Sequence, residues 1–355
     1  MPSSLLRRLL GRAGASPNGA VAGEAFSLPG SLQPGARVLL LASDDLTDLL
    51  FAMPLVEAVH GAIEGVEFGL LCDERTSHLA LSTDRFADVL VVDPQQAGSG
   101  SASHRELQEA LQGESWDVAI LLGQDPDPDR DEFAHLSGAT LRMGPDHPLA
   151  FPRLNCQVRP PSSESYPYGR AQLWGRLLGV NVDARRLHWR LAPKRARQMG
   201  QLVHFNKPRK QQRLIGIDPG VGKAGTRLGA ANLGLIANHL SRTIDSRTIV
   251  LTADEDPTVV DEFVGVLENT PLDLPRPTLL ETVLLLNECD LLVSGNTDLL
   301  HFAAALDVPA LTVFADADAD AWIPDRAERL EVVRAARGEA LDLAEIMDRV
   351  ERLLA

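Results

Sequence analysis

Short apolar runs alternate with longer helical patterns along most of the chain. Continuous apolar runs of strand length predict buried strands at 36–43, 66–72, 89–93 and 116–122, and again at 214–217, 248–252, 290–294 and 310–314. Apolar residues at helical spacing predict helices at 49–59, 76–82, 104–112 and 168–179, and then at 229–241, 257–268, 281–288, 297–306 and 341–354. Alternation of this kind favours an α/β fold in which parallel sheets carry helices on both faces.

The alternation starts twice, which predicts two domains. A chain of 355 residues is long enough for two domains of about 150 residues each. We expect a flexible tail over 1–35, which is rich in Gly, Ala, Ser and Pro, a Rossmann-like domain over 36–190, a linker over 191–212 and a second Rossmann-like domain over 213–355. The cleft between two such domains is the default place for a ligand.

Some stretches have no clear period. Residues 123–131 form an acidic loop that lacks the Asp-x-Asp-x-Asp-Gly frame of a calcium site, and 139–165 are Pro-rich with short edge strands. A basic segment, Lys194 to Arg213, connects the two halves. Pro54 lies inside the first helical pattern and should kink that helix or mark its start.

Composition narrows the classes of function. With 45% apolar residues and no apolar run near the ~20 residues of a membrane span, a soluble cytoplasmic protein is expected. The net charge of -15 argues against a nucleic-acid-binding surface, which needs a basic stripe. Cys72, Cys156 and Cys289 form no CxxC pattern, so we expect small core residues in a reducing compartment and no metal site.

The first twelve residues, Met1 to Arg12, combine a short apolar run with arginines. The run is too short for a secretory signal, and no small-residue cleavage site follows it directly. Two interpretations stay open, a frayed tail and an amphipathic segment in peripheral contact with an anionic inner membrane.

The stretch Leu291–Leu306 holds the strongest candidate site. It reads as a buried strand, a polar turn over Ser294–Asp298 and a helix that begins at once, with His301 one turn inside. Such a junction presents backbone N–H groups and the positive end of a helix dipole to whatever lies above the sheet. Because ligands of open α/β sheets bind at this edge, the stretch predicts an anion site.

Four stretches together resemble a known family. Ser43-Asp-Asp-Leu-Thr-Asp-Leu-Leu-Phe-Ala-Met-Pro54 is similar to S-x-x-G-D-x-x-x-x-x-P, and Asp218-Pro-Gly-Val-Gly222 with Arg227 is similar to H-P-G-x-G with K-R-W-P. Ser294-Gly-Asn-Thr-Asp-Leu-Leu-His-Phe-Ala-Ala-Ala305 is similar to S-N-D-T-G-x-x-H-x-A-A-A, and Phe314 to Pro324 keeps the frame F-G-P-T-D-P-x-x-W-x-P. The order and spacing resemble glycosyltransferase family 9, the ADP-heptose:lipopolysaccharide heptosyltransferases, over about residues 36–350.

The resemblance implies a GT-B fold, with an N-terminal acceptor domain and a C-terminal nucleotide-sugar domain facing each other across a cleft. It implies a cytoplasmic, monomeric glycosyltransferase of cell-envelope and lipopolysaccharide biosynthesis. Such an enzyme moves a heptose-like sugar from a nucleotide-diphosphate sugar, with an ADP-sugar as the first expectation, to lipopolysaccharide or another glycan acceptor. No cofactor beyond the donor is implied.

Asp48 matches the position of the family's proposed catalytic base. It follows the first strand, at the edge that should face the cleft. A base is needed there to take the proton of the acceptor hydroxyl. The alternative is that Asp48 only caps the first helix.

The donor diphosphate needs hydrogen-bond donors and positive charge. The resemblance places this role on both βα turns of the second half, with an acidic residue near the nucleotide. The candidate donor-binding residues are Gly220, Val221, Gly222, Lys223, Arg227, Glu255, Asn296, Thr297, Asp298 and His301. The alternatives are an ordinary βα loop for the Gly-rich turn and a hydrogen-bonded structural histidine for His301.

Several phosphate-facing positions depart from the family pattern. Asn296 and Asp298 stand where the family has Asp and Gly, and Asp316 follows in place of Pro. A carboxylate at the anion end of a helix would repel a phosphate charge ~4 Å away by about 4 kcal/mol at an effective dielectric of ~20. Two hypotheses follow, a working transferase in which a metal or protonation offsets this charge, and a catalytically degenerate GT-B scaffold that binds a glycan or a partner protein.

Overall fold

The computed structural model describes most of the chain and shows two parallel sheets with flanking helices. The described residues are 32–43, 45–93, 102–123, 125, 127–159, 168–184, 186–220, 229–252, 257–272, 274, 277–295, 297–314, 323, 329–334 and 342–355. No helix among them is both long enough and apolar enough to cross a membrane.

The N-terminal half is a six-stranded parallel sheet in the order β3-β2-β1-β4-β5-β6. Its strands are β1 Arg37–Leu41, β2 Glu67–Cys72, β3 Asp88–Val91, β4 Val118–Leu121, β5 Leu141–Pro145 and β6 Cys156–Val158. Its helices are α1 Leu46–Ala62, α2 Glu74–Ala80, α3 Ala102–Gln112, α4 Pro128–Leu136 and α5 Tyr168–Leu177. This is the strand order of a dinucleotide-binding Rossmann sheet.

The C-terminal half is a five-stranded parallel sheet in the order β11-β10-β9-β7-β8. Its strands are β7 Arg213–Ile217, β8 Ser246–Val250, β9 Leu291–Ser294, β10 Ala310–Phe314 and β11 Leu330–Arg334. The remaining helices are α6 Pro193–Asn206, α7 Ala230–Thr243, α8 Pro257–Gly265, α9 Leu279–Leu286, α10 Asp298–Leu306 and α11 Leu343–Leu354. Helix α6 lies within the predicted linker.

Each sheet has one point where the strand order reverses. In the first sheet it lies between β1 and β4, and in the second between β7 and β9. The chain leaves these two strands toward opposite faces, which opens a crevice above their carboxyl ends. The candidate residues after β1, β7 and β9 therefore lie at the ligand-binding edges of both sheets.

The predicted acidic loop 123–131 is wrong in its second part, because α4 begins at Pro128. The Asp127 carboxylate accepts hydrogen bonds from the N–H groups of Asp129 and Arg130, at 3.1 and 3.0 Å. Asp before Pro is a helix-start signal, which the surrounding acidic residues obscure. Pro54 does not mark a helix start either, since α1 runs continuously from Leu46 to Ala62.

One contiguous cluster of buried apolar side chains crosses both halves. It includes Leu49 and Met53 of α1 together with Leu299 and Phe302 of α10. Helix α1 is buried along most of its length because it packs on its own sheet, on α5 and, in the other half, on α10. The two sheets are therefore joined by packed side chains and not only by the connecting chain.

Two of the three cysteines are core residues, as predicted. Cys72 and Cys289 are buried, Cys156 is half-buried, and all three are free thiols. Burial raises the pKa of the Cys72 thiol to about 12, so this thiol stays protonated and unreactive at neutral pH.

Candidate functional site

Asp48 lies in the first turn of α1, directly above the carboxyl end of β1. Its carboxylate is 8% exposed and accepts a hydrogen bond from the Ser43 hydroxyl at 2.5 Å. The helix cap is a different residue, since the Asp45 carboxylate accepts the N–H of Thr47 at 2.9 Å. The interpretation of Asp48 as only the helix cap is therefore wrong.

Gly123, which follows the neighbouring strand β4, packs against Ser43 and Asp48. It has a φ of 98°, and a Cβ at this position would lie 2.9 Å from the Ser43 Cβ and 3.2 Å from Asp48 Oδ2. A side chain would therefore displace the pair formed by Ser43 and Asp48. The segments after β1 and β4 meet here, at the first reversal point.

Asp218 joins the two turns of the second reversal point. Its Oδ1 accepts the N–H of Gly220 at 2.9 Å, and its Oδ2 accepts the Thr297 hydroxyl at 2.5 Å. Asp218 and Thr297 are both buried. The loop after β7 and the turn after β9 are thus held together by one carboxylate.

Asp218 was not among the predicted site residues. It occupies the first position of the Asp-Pro-Gly-Val-Gly stretch, where the family pattern has His. The position was visible in the sequence, but its partner Thr297 lies 79 residues away. Only the fold brings the two together.

The turn before α10 is fixed on its other side as well. The Gly295 carbonyl accepts the hydroxyls of Ser294 at 3.0 Å and Thr312 at 3.2 Å. Because the Thr297 hydroxyl is committed to Asp218, Thr297 makes no side-chain cap to α10. Asp298 is the first helical residue, where a carboxylate interacts favourably with the helix dipole and competes with an incoming anion.

His301 connects the two domains. It is fully buried, and its ring lies edge-on to the ring of Phe51, with centroids 5.1 Å apart. Asp48 and Asp298 each precede this contact by three residues, about 4.5 Å along a helix. The first turns of α1 and α10 therefore lie on the two sides of one interface.

The structure thus brings together Asp48, Thr297, Asp298 and His301, with Gly220 in the adjoining loop. The other predicted donor-binding positions lie outside the described residues: Val221, Gly222, Lys223, Arg227, Glu255 and Asn296, as does Asp316. Within the described part of the chain, no group of three or more His, Cys, Asp or Glu is placed to hold a metal ion.

Two cavities are lined by residues that follow strands of the N-terminal sheet. One of about 640 Å³ lies between the domains, lined by residues of α2 and by Thr278–Leu280 at the start of α9. A smaller one of about 210 Å³ lies within the N-terminal half, where Ser43, Asp73, Asp127 and Arg130 line it. Ser43 is the residue that donates to Asp48, so the smaller cavity adjoins the candidate base.

Comparison with known proteins agrees with this architecture. Residues 237–348 match the model of glycosyltransferase family 9 (heptosyltransferase). No curated protein sequence matches the chain.

Three solved structures match most of the chain. A glycosyl transferase family 9 protein from Veillonella parvula has 17% identity and a TM-score of 0.76, with 90% of this chain and 97% of the other covered. The E. coli ADP-heptose lipopolysaccharide heptosyltransferase II has 15% identity and a TM-score of 0.74, with 90% and 98% covered. E. coli heptosyltransferase WaaC with ADP-2-deoxy-2-fluoro heptose has 19% identity and a TM-score of 0.66, with 89% and 99% covered.

At these identities the likeness shows the fold, two Rossmann-like domains in the GT-B arrangement. The family-model match covers the C-terminal part, including β9, α10 and β10. The family-model match confirms the predicted resemblance to glycosyltransferase family 9 over residues 237–348, and the solved structures confirm the predicted fold over most of the chain.

Proposed function

We propose that this protein is a glycosyltransferase that moves a sugar from a nucleotide-diphosphate sugar to a glycan hydroxyl, with Asp48 as the base. The observation that carries the proposal is the buried Asp48 carboxylate, which Ser43 holds beside a cavity of about 210 Å³, one helical turn from the contact between Phe51 and His301. An ADP-sugar is the first donor to test, because the WaaC structure similar to this chain holds an ADP-heptose analogue.

In the proposed reaction the acceptor oxygen forms a bond to the anomeric carbon. The bond from that carbon to the donor diphosphate breaks, and its electron pair leaves with the diphosphate. The proton of the acceptor hydroxyl passes to an oxygen of Asp48. The Ser43 hydroxyl donates to Oδ2 and so holds the Asp48 carboxylate in place for this transfer.

The leaving diphosphate would be stabilised from the C-terminal half. The N–H groups that open α10 point out of its first turn, and the Asp218–Thr297 bond holds the turn and the loop after β7 at fixed positions. Gly220 and the four predicted residues of the following loop (Val221, Gly222, Lys223 and Arg227) would complete this cradle, and Asn296 would add an amide. His301 would position α10 through its packing against Phe51.

The cavity of about 210 Å³, which would hold the acceptor, is lined by more acidic than basic side chains. Asp73, Asp127 and Asp129 line it together with a single cation, Arg130. Asp127 also pairs with Arg130 at 3.2 Å, which leaves little positive charge for a phosphate. A neutral, hydroxyl-rich glycan suits this cavity better than a phosphorylated inner-core lipopolysaccharide.

The second candidate is a degenerate GT-B scaffold that binds a glycan or a partner without catalysis. The specific observation in its favour is Asp298 at the first position of α10, where its carboxylate occupies the end of the helix that a diphosphate would use. Asp218 adds a second buried carboxylate nearby.

A thermal-shift titration with ADP-, UDP- and GDP-sugars, with and without magnesium, separates the two candidates. A ligand at a hundred times its dissociation constant adds about 2.7 kcal/mol to the free energy of unfolding. The transferase proposal expects a shift with at least one donor and release of the nucleotide when a glycan acceptor is added. No shift with any donor would support the degenerate scaffold.

A further inference from the structure

The helix α6 and the chain next to it are strongly basic in an acidic protein. Residues 184–213 contain ten Lys or Arg and no Asp or Glu, whereas the whole chain has a net charge of -15. The proposed transferase reaction uses none of these residues. Such a local reversal of charge marks a surface for an anionic partner.

One face of α6 packs on the protein and the opposite face does not. Met199 and Val203 are buried, and Gly200 lies against the Glu288 carboxylate of the segment that follows α9. Phe205 is 77% exposed and Leu202 is 41% exposed. Because residues three, four, seven and eleven apart share a face of a helix, Phe205 lies on the same outward stripe as Lys194, Gln198 and Gln201.

The cations of this region fall into two groups. Beyond the helix, Arg209 pairs with Asp245 at 2.6 Å and Arg213 with Asp290 at 3.2 Å. On the helix, Lys194, Arg195 and Arg197 are exposed and form no ion pair with any residue that the structure describes. The charge of α6 itself is therefore available to an external anion.

A groove of about 710 Å³ with both apolar and polar walls runs beside this charge. It lies between α2, α6 and α9, with Leu81, Leu202 and Leu284 among its apolar walls, and Lys194 and Arg195 line it too. Glu281 is the acidic residue of the groove, and its side chain is engaged in the capping box with Thr278. Apolar side chains beside cations that form no ion pair with any described residue match an amphiphile with an anionic head.

We propose that α6 docks this protein onto an anionic phospholipid bilayer. The helix lies in the plane of the headgroups, Phe205 and Leu202 enter the boundary of the acyl chains, and Lys194, Arg195 and Arg197 contact lipid phosphates. The two exposed apolar side chains favour a bilayer over a nucleic acid, which would meet them with charged phosphates. This surface is separate from the N-terminal segment 1–12, and the proposal does not depend on transferase activity.

The test is co-sedimentation of the full chain with vesicles. We expect binding to vesicles of phosphatidylglycerol and phosphatidylcholine at about one to two, weak binding to phosphatidylcholine alone, and loss of binding as salt rises from ~0.1 M toward ~1 M. Arg197→Glu should weaken vesicle binding at least about fivefold. Arg105→Glu, a matched change at an exposed arginine of α3, should leave it unchanged.

A second pair of variants tests the apolar contact. Phe205→Ser should lower vesicle binding severalfold, whereas Phe151→Ser, at a 74% exposed phenylalanine of the N-terminal half, should not. Circular dichroism melting checks that each variant is folded.

The proposal is overturned by any of three results. The first is equal binding to neutral and anionic vesicles. The second is loss of binding with Phe151→Ser or with Arg7→Glu/Arg8→Glu while the α6 variants still bind. The third is binding to a duplex RNA, weakened by Arg197→Glu, in place of binding to vesicles.

Discussion

The ring of His301 packs edge-on against the ring of Phe51, and this contact joins the helix after β9 to the helix after β1. Both side chains are buried. Helix α10 begins at Asp298, three residues before His301, and α1 begins at Leu46, five residues before Phe51. This aromatic pair, together with the apolar cluster around it, therefore holds the two sides of the candidate site at a fixed distance.

The pair should be energetically coupled. Edge-on aromatic pairs contribute about 1 kcal/mol beyond the apolar area that they bury. In urea unfolding, Phe51→Leu and His301→Gln should each destabilise the protein, and the double variant should lose about 1 kcal/mol less than the sum. Phe51→Leu combined with Phe133→Leu, in a separate cluster, should be additive. Additivity of the first pair would contradict the assignment.

Asp48→Asn should lower turnover at least about a hundredfold and leave nucleotide binding intact, because a general base contributes about that much. The matched control is Asp45→Asn, since Asn caps a helix as well as Asp does and this variant should keep its activity. Ser43→Ala should also lower turnover, because it removes the hydrogen bond that orients the Asp48 carboxylate. Equal losses from Asp45→Asn and Asp48→Asn would exclude Asp48 as the specific base.

Asp298→Gly should tighten nucleotide binding, by up to about a thousandfold if the full repulsion of about 4 kcal/mol is relieved. The same change should lower the free energy of unfolding by about 1 kcal/mol. It removes a carboxylate that interacts favourably with the helix dipole, and it introduces glycine, which has a low helix propensity. Isothermal titration and urea unfolding measure the two effects. Asp298→Asn keeps the size and removes the charge, so it separates electrostatics from space. Weaker binding in both variants would contradict the charge argument.

Thr297→Val should destabilise the C-terminal half by about 2 kcal/mol, because it leaves an oxygen of the buried Asp218 carboxylate without its donor. Thr297→Ser retains a hydroxyl and should cost clearly less. The two variants are compared by urea unfolding and by nucleotide binding. Equal stability of the Val and Ser variants would mean that the bond contributes little.

Glu331 should make stability depend on pH. The hydrogen bond from Arg352 first, and then the charges of Arg352 and Arg349, lower the pKa of this carboxyl below its usual range. A lowered folded pKa gives stability that is present above the unfolded pKa and is lost as pH falls through the folded pKa. Glu331→Gln should therefore be less stable than the original chain by about 1 kcal/mol near neutral pH. The difference should shrink below about pH 4, and a difference that stays constant down to ~pH 3 would refute this account.

The sequence predicts the strands near the centre of each sheet because their apolar runs are continuous. It does not show β11, whose run Leu330–Arg334 mixes charged and apolar residues at a sheet edge where one side faces solvent. Helix α6 is not visible in the sequence because it is basic and buries only Met199 and Val203, which is too few residues to show a helical period. Local patterns report local structure, and these elements depend on their neighbours.

The candidate site divides in the same way. Asp48 and the turn at Ser294–Asp298 are visible because each follows an obvious buried strand. The bond between Asp218 and Thr297 and the packing of Phe51 on His301 are not, because both join segments that are far apart in the chain. Such contacts follow from the two sheets and their reversal points.

The apolar cluster that crosses both halves also limits how they can move. Domain closure in a two-domain protein proceeds by rotation about a few fixed contacts. Because α1 and α10 pack together, the contact between Phe51 and His301 would be one of these fixed contacts. Asp48 lies about one helical turn from this contact and would therefore move little during domain opening. The position of the candidate base would then stay nearly constant while the two domains open and close.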